Sequence, residues 1–262
     1  MSDPIITLTT DFGTSSPFVG AMKGAILNIN PAARLVDLSH DIPPFDIRHA
    51  AFFLAEALPH FPPHTIHVVV IDPEVGGNRD ALFVGVAGQR IVVPDNGCWT
   101  LLAEGRDKPL RVIKLAEPRY WRSPVCPTFH GRDIFAPVAA YLSLGVSPSQ
   151  LGPPITTWGE LAWPTPNRSA RAIAGEVIFV DHFGNLISNI PGHALANLPA
   201  TARVVVAEGV LARKVRAYAD APVGELVSLV SSSGLLEVAI VQGNAATKLG
   251  LRVGAPLRIE WT

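Results

Sequence analysis

One run constrains this chain more than any other: Ile66-His67-Val68-Val69-Val70-Ile71, ending abruptly on Asp72-Pro73-Glu74-Val75-Gly76-Gly77-Asn78-Arg79. A β-branched run that is apolar at odd and even positions alike reads as a strand covered on both faces, the usual state of a strand in a parallel sheet. An Asp at the carboxyl end of such a strand stands where open α/β sheets bind their ligands. The Pro and the two Gly let the chain bend back so that Arg79 reaches Asp72. A strand-ending Asp that only caps a turn is the competing reading, and the rest of the chain decides between them.

The flanking pattern alternates strand and helix. Ile5 to Thr10 is a short strand ending in Asp11-Phe12-Gly13. Phe18 to Asn30 has helical spacing, with Val19, Met22, Ile26 and Ile29 on one stripe and Pro31 as its stop. Arg34 to Leu38 is a second strand, Ile47 to Leu58 a helix closed by Pro59, and Ala81 to Val86 and Arg90 to Val93 further strands. Asp133 to Leu144 is a last helix, with Pro137 in its first turns, where Pro is tolerated. This order predicts an α/β layer with a mainly parallel central sheet. Residues 156–170, rich in Pro, Gly, Thr and Trp without periodicity, read as a linker between a domain over 1–155 and another over 171–262. Beyond it come short strands at Gly175–Val180, Ala202–Ala207, Leu226–Val230, Leu236–Val241 and Pro256–Trp261 without a long helix. The second domain is therefore expected to be a smaller all-β barrel or sandwich.

Composition removes several function classes. Hydrophobic residues make up 48% and charged residues 16%, which marks a well-filled globular chain. A net charge of −1 without any Lys/Arg run argues against nucleic acid or an anionic membrane as partner. No apolar stretch approaches a membrane span. The start Met1-Ser2-Asp3-Pro4 runs into a strand without a signal-peptide pattern, so the cytoplasm is the expected compartment. Cys98 and Cys126 are expected there as free thiols, and neither has an activating neighbour in sequence, so buried apolar roles are expected of both.

Two strands of the first domain end in Asp, at Asp11 and Asp72, and a parallel sheet puts both carboxylates on one edge. Ser39, His40 and Asp41 follow the second strand toward that edge. His130, at a helix entrance, adds a group that titrates near neutrality. In the second domain Asp181-His182-Phe183-Gly184-Asn185 again ends a strand on a carboxylate, and Ser231-Ser232-Ser233-Gly234 offers hydroxyls and backbone N–H groups to an anion. Asp11-Phe12-Gly13 is the metal-binding triplet of protein kinases, but the glycine-rich and catalytic-loop motifs are missing. His64 and His67 lack a third ligand at a recognisable spacing, so no metal site is expected.

Thr10-Asp11-Phe12-Gly13, Asp37-Leu38-Ser39-His40, Asp72-Pro73-Glu74-Val75-Gly76, Pro94-Asp95-Asn96-Gly97, Phe129-His130-Gly131-Arg132-Asp133, Asp181-His182-Phe183-Gly184-Asn185 and Gly243-Asn244-Ala245-Ala246 occur in that order. Together they resemble the adenosine-forming S-adenosyl-L-methionine hydrolases, or SAM hydroxide adenosyltransferases, relatives of the fluorinase and chlorinase. The resemblance runs from about Ile5 to the C-terminus. It implies an N-terminal α/β domain with a C-terminal β-barrel, S-adenosyl-L-methionine as substrate, no cofactor, and a homotrimer whose sites lie between one subunit's N-domain and its neighbour's C-domain. It implies Asp72, Arg79 and His130 as the catalytic set, with Asp72 also touching substrate. Asp11 would take the ribose hydroxyls and Phe45 would pack on the nucleoside. Asp181 and Ser232 would hold the methionine amino and carboxylate groups. Asn185 would reach adenine or its neighbourhood, Glu237, Asn244 and Ala245 would line the adenine end, and Asn96 and Phe183 belong to the same implied binding set. Where the family commonly has an acidic residue after Asp-Phe-Gly, this chain has Thr14-Ser15-Ser16-Pro17. It lacks the extra loop of fluorinases and carries His130-Gly131 where those enzymes favour hydroxyls, which favours water over halide.

The implied reaction is attack of water or hydroxide at ribose C5′, releasing methionine as a neutral thioether that needs no general acid. Positioning of the nucleophile supplies at best about 7–11 kcal/mol. A close Arg makes a carboxylate a poorer base, so Asp72 and Arg79 are expected to hold water and His130 to accept the proton. A SAM- or nucleoside-binding protein without turnover, a halogenase of the same family and a metal-dependent hydrolase are the alternatives.

Overall fold

The computed structural model describes residues 4–104, 110–196, 198–206 and 209–262. Met1–Asp3 and Ala207, the last residue of one expected strand, lie outside the described residues. The chain divides into two compact units, Met1–Leu161 and Ala162–Thr262.

The first unit runs β1 (Ile5–Thr10), α1 (Phe18–Ile29), β2 (Arg34–Ser39), α2 (Ile47–Ala57), β3 (Ile66–Val70), β4 (Ala81–Val86), β5 (Gln89–Pro94), α3 (Thr100–Ala103), β6 (Arg111–Lys114) and α4 (Ala136–Ser143). Its sheet has the order β2-β1-β3-β5-β4-β6. The first four of these are parallel, and β4 and β6 run antiparallel to their neighbours. Every residue of β3 is buried. Ile66, Val68 and Val70 face a core shared with α1 and α4, while Val69 and Ile71 face a second core shared with α2. That period of two, apolar on both sides, is what the sequence run encodes. His67 pairs across the sheet with Thr7. Its Nδ1 lies 2.7 Å from Thr7 Oγ1 and its Nε2 3.3 Å from Gln89 Oε1. Burial pushes its pKa down from 6.5 to about 4. His67 is thus a core histidine.

One expectation shifts and one segment gains detail. The last helix begins earlier than Asp133: Gly131–Phe135 form a π-helical turn that leads into α4. Gly131 is closely packed in this turn: a Cβ there would stand 3.2 Å from Met22 Sδ and 3.4 Å from Val70 Cγ1. The first residues of the segment 156–170 are packed. Trp158 packs on Trp99 with ring centroids 5.5 Å apart, and Gly159 N–H donates to Asp95 Oδ1 at 2.7 Å.

The second unit contains β7 (Asn167–Arg168), β8 (Ala172–Val180), β9 (Leu186–Pro191), β10 (Arg203–Val206), β11 (Val210–Lys214), β12 (Leu226–Val230), β13 (Leu235–Ile240), α5 (Ala245–Leu249) and β14 (Pro256–Glu260). The order β14-β10-β11-β12-β13-β9-β8 closes through β14–β8 pairing into a seven-stranded barrel, with β7 added beside β8. Sequence periodicity misses β9 because Ser188 and Asn189 interrupt its apolar pattern. Both are buried and bonded: Ser188 Oγ donates to the Leu236 carbonyl at 2.9 Å, and Asn189 Nδ2 to the Pro164 carbonyl at 3.0 Å. Among the described residues, no helix is long and apolar enough to cross a membrane.

Candidate active site

The segment after β3 has a topological task. β5 lies between β3 and β4, so Ile71–Asp80 must arch over the carboxyl end of β5. Two bonds pin the arch there: Asn96 Nδ2 donates to the Ile71 carbonyl at 2.7 Å, and Asp95 N–H to the Asp80 carbonyl at 2.9 Å. Asn96 Oδ1 also accepts the Cys98 N–H at 3.2 Å. Asn96 therefore holds the strand end beneath Asp72. Inside the arch Gly77 N–H donates to the Glu74 carbonyl at 2.9 Å. Gly76 has φ +79°, and any Cβ there would overlap the Pro127 carbonyl oxygen. The turn brings Arg79 back to Asp72, with Nε donating to Oδ1 at 2.9 Å and Nη2 donating to Oδ2. Both side chains are at most 5% exposed.

Arg79 Nη2 also lies 2.9 Å from His130 Nδ1. A guanidinium only donates, so Nδ1 is the acceptor, and a neutral ring carries its proton on Nε2. Burial and the Arg79 charge both push the His130 pKa below its ordinary value of 6.5, so the ring is neutral at neutral pH. His130 is set by the π-turn that follows it, and that turn is anchored by Asp133, whose side chain is fully buried. Asp133 accepts from Cys126 N–H at 2.8 Å, from Arg132 Nε and Nη2 at 2.7 and 2.8 Å, and from Arg122 Nη1 at 3.2 Å. Burial alone would raise its pKa. The bonds from Arg132, Cys126 and Arg122 outweigh that and hold it below the usual carboxylate range.

Asp11 and Asp72 come together as the parallel pairing of Thr10 with Val70 requires. They share a cleft of about 290 Å³ with Phe45, His130 and an aromatic floor. The floor is Phe12, Phe18 and Phe129, three edge-to-face pairs with centroids 5.3–6.1 Å apart. Sequence reading missed these three rings, although Phe12 and Phe129 sit inside quoted motifs. Asp11 Oδ2 accepts the Phe45 N–H at 2.9 Å. Phe45 has φ +65° and its ring is 69% exposed. A left-handed backbone is unfavourable for a Phe, and such strain concentrates at ligand sites. The strand order reverses its growth between β1 and β3, so this cleft stands at the topological switch point of the sheet.

The second unit has a separate cleft of about 770 Å³, bordered by Asp181, Phe183, Asn185 and Tyr218. Asp181 is gripped by Asn185, which donates from its backbone N–H at 2.8 Å and from Nδ2 at 2.9 Å. A Cβ at Gly184, φ +84°, would overlap the Asn244 amide. Asn244 caps α5 through its Oδ1, which accepts the Thr247 N–H at 2.7 Å. Tyr218, unassigned from sequence, donates its hydroxyl to Glu237 Oε1 at 2.5 Å. Burial and the nearby Asp181 charge raise the Glu237 pKa despite that bond.

The structure places three further residues as follows. Ala245 is fully buried in the barrel core. Asp181 and Ser232 stand on different turns of the barrel. In the β9–β13 pairing Leu186 faces Val238 and Pro191 faces Leu235, so the Asp181 turn and the Ser232 turn lie beyond opposite ends of those strands. Finally, Cys126 is not buried as Cys98 is. Hydrogen bonding to Thr128 lowers the Cys126 pKa, whereas burial raises that of Cys98 to about 12. Among the described residues, no group of three or more His, Cys, Asp or Glu stands ready to hold a metal ion.

A parallel sheet with a carboxylate–guanidinium–imidazole chain at its switch point, followed in the same chain by a closed barrel with its own acidic cleft, defines a two-unit ligand-converting class of protein. The chain belongs to the SAM hydroxide adenosyltransferase family: residues 6–152 match the family's N-terminal domain and residues 175–258 its C-terminal domain. It is 37% identical to the (R)-S-adenosyl-L-methionine hydrolase of Salinispora arenicola (strain CNS-205) over 98% of each chain. A crystal structure of a conserved protein from Thermotoga maritima superposes with a TM-score of 0.90 at 34% identity, covering 97% of this chain and 99% of that one. A fluorinase from Actinoplanes sp. (strain N902-109) is more distant, 25% identical over 98% of this chain and 97% of its own.

Proposed function

We propose that this protein hydrolyses S-adenosyl-L-methionine. Water attacks ribose C5′, the C5′–S bond breaks with its electron pair passing to sulfur, and adenosine, L-methionine and a proton result. The observation that carries this reading is the single Arg79 guanidinium serving both Asp72 and His130. Binding alone has no need of a buried ion pair joined to an imidazole. Asp72 keeps lone pairs for a water O–H after accepting from Arg79, and His130 Nε2–H is a donor toward the water oxygen. The ring lone pair of His130 is engaged by Arg79, so the geometry favours Asp72 as the first proton acceptor and His130 as the group that orients the nucleophile. This reverses the roles expected from sequence. Asp11 takes the ribose hydroxyls, and the aromatic floor with Phe45 packs on the nucleoside. The apolar cleft suits a reaction in which the sulfonium charge is dispersed, and alignment of a water beside C5′ would supply the positioning contribution.

Asp181, Asn185, Phe183 and Tyr218 take another part of the substrate. The exposed Phe45 and Phe183 rings fit a homotrimer in which neighbouring copies complete each site, and the two unpaired thiols fit a cytoplasmic protein. Incubation with S-adenosyl-L-methionine, with and without chloride or fluoride, should yield adenosine and methionine in equal amounts. A 5′-halo nucleoside, or substrate bound and returned intact, would sink the proposal.

A further inference from the structure

The turn that carries Asp11 is held from both sides by one residue for which the hydrolysis has no direct use. His40 follows β2, the parallel neighbour of β1, and its side chain is 5% exposed. Its Nδ1 is 2.9 Å from Thr10 Oγ1, which also accepts the Phe12 N–H at 3.3 Å. The His40 carbonyl accepts the Gly13 N–H at 2.8 Å. On the far side of the ring, Nε2 stands 3.1 Å from Asp37 Oδ1, close enough for electrostatic attraction though poorly aligned as a hydrogen bond. Asp37 is itself fixed by Lys23 Nζ at 2.6 Å. One proton arrangement satisfies the chain: the Thr10 hydroxyl donates to Nδ1, its lone pair receives Phe12 N–H, and Nε2–H faces the Asp37 carboxylate. Thr10–His40–Asp37 has the connectivity of a nucleophile–base–acid relay, but Thr10 is fully buried and has no access to a substrate. What the chain does reach is the backbone on either side of Asp11. Residue 10 is tied to the His40 ring, residue 12 to the Thr10 hydroxyl that the ring holds, and residue 13 to the His40 main chain.

We infer that His40 is a positioning residue for ribose recognition: with Thr10 and Asp37 it fixes the Thr10–Gly13 turn so that the Asp11 carboxylate keeps its place against the sugar. This rests on the reading that Asp11 takes the ribose hydroxyls. Small displacements of a positioning group weaken an interaction steeply, which gives the inference a kinetic signature.

The test is steady-state kinetics of the full chain on S-adenosyl-L-methionine and on its 2′,3′-dideoxyribose analogue. Asp11→Ala should raise KM for S-adenosyl-L-methionine by about 10–100-fold, the range for losing hydrogen bonds to a charged group. His40→Ala should raise it about 10-fold with kcat changed by less than about 3-fold, and the double variant should be no worse than Asp11→Ala alone. With the dideoxy analogue, His40→Ala and the unaltered protein should share one KM. Thr10→Val keeps the volume and removes only the relaying hydroxyl, so it should repeat the pattern even if His40→Ala fails to fold. Additive penalties, or equal harm on the dideoxy analogue, would overturn the inference in favour of a general structural role. If Asp11→Ala raises KM while His40→Ala and Thr10→Val do not, only the positioning role falls. If Asp11→Ala leaves KM unchanged, the ribose reading falls and this inference with it.

Discussion

In the cleft at the ends of β1 and β3, the polar groups are already bonded within the protein: Asp72 to Arg79, Arg79 to His130, and Asp11 to the Phe45 backbone. The barrel cleft is arranged differently. Asp181 and Tyr218 border it, with Glu237 behind the tyrosine, and its described lining contains no Lys or Arg. The first arrangement fixes charges before a ligand arrives, which is what orientation of a nucleophile requires. The second leaves carboxylates without cationic partners in the lining, which suits holding a positively charged ligand. Substitutions in the Asp72–Arg79–His130 chain should therefore act on kcat, and those in the second cleft on KM.

Arg79→Met is the strongest way to break that contrast. It leaves Asp72 buried without its partner, so kcat should fall by at least about a thousandfold and unfolding stability by about 3–5 kcal/mol, read from turnover and urea titration. Near-normal turnover would end the claim that the first cleft depends on its interlocked charges. Next in size is a pH effect confined to the sheet unit. The folded-state pKa of His67, about 4, lies below its ordinary 6.5. The unfolded chain therefore binds a proton first as pH drops. The stability contribution is full above about pH 6.5 and is lost as pH falls toward 4, amounting to about 3 kcal/mol. Urea midpoints at pH 7 and pH 4 measure it, and His67→Gln should flatten the difference. Gly76→Ala, which forces a Cβ into the Pro127 carbonyl, should cost about 1–3 kcal/mol and lower kcat by up to about 100-fold with little change in KM. Smallest is Tyr218→Phe, expected to raise KM about 3–10-fold while kcat stays within about 2-fold. A kcat collapse in that variant would show that the barrel cleft takes part in the chemistry.

How much of this was legible follows from how local each signal is. The β3 run and the Pro-Gly turn after it encode a doubly covered strand and an Arg that returns to its own Asp, all within fourteen residues. The Asp11–Asp72 edge follows from strand ends alone, because parallel pairing aligns them. The link from Arg79 to His130 spans 51 residues. Motif resemblance puts both in one set, but the direction of the hydrogen bond, and with it the proton's path, emerges only from the ring's orientation. The barrel was harder to read. Buried, bonded Ser188 and Asn189 disguise β9, and nothing local reports that the Asp181 and Ser232 turns lie at opposite ends of a strand pair. Cys126 looks inert beside Cys98 in sequence because its Thr128 partner is recognisable only once the loop is folded.

The closeness of Gly76 to Pro127 carries a mechanical consequence. The two loops, one leading to Arg79 and the other to His130, meet there like the halves of a latch with no clearance between them. A side chain at position 76 would therefore press on both loops at once, and the strain would reach the guanidinium and the imidazole together.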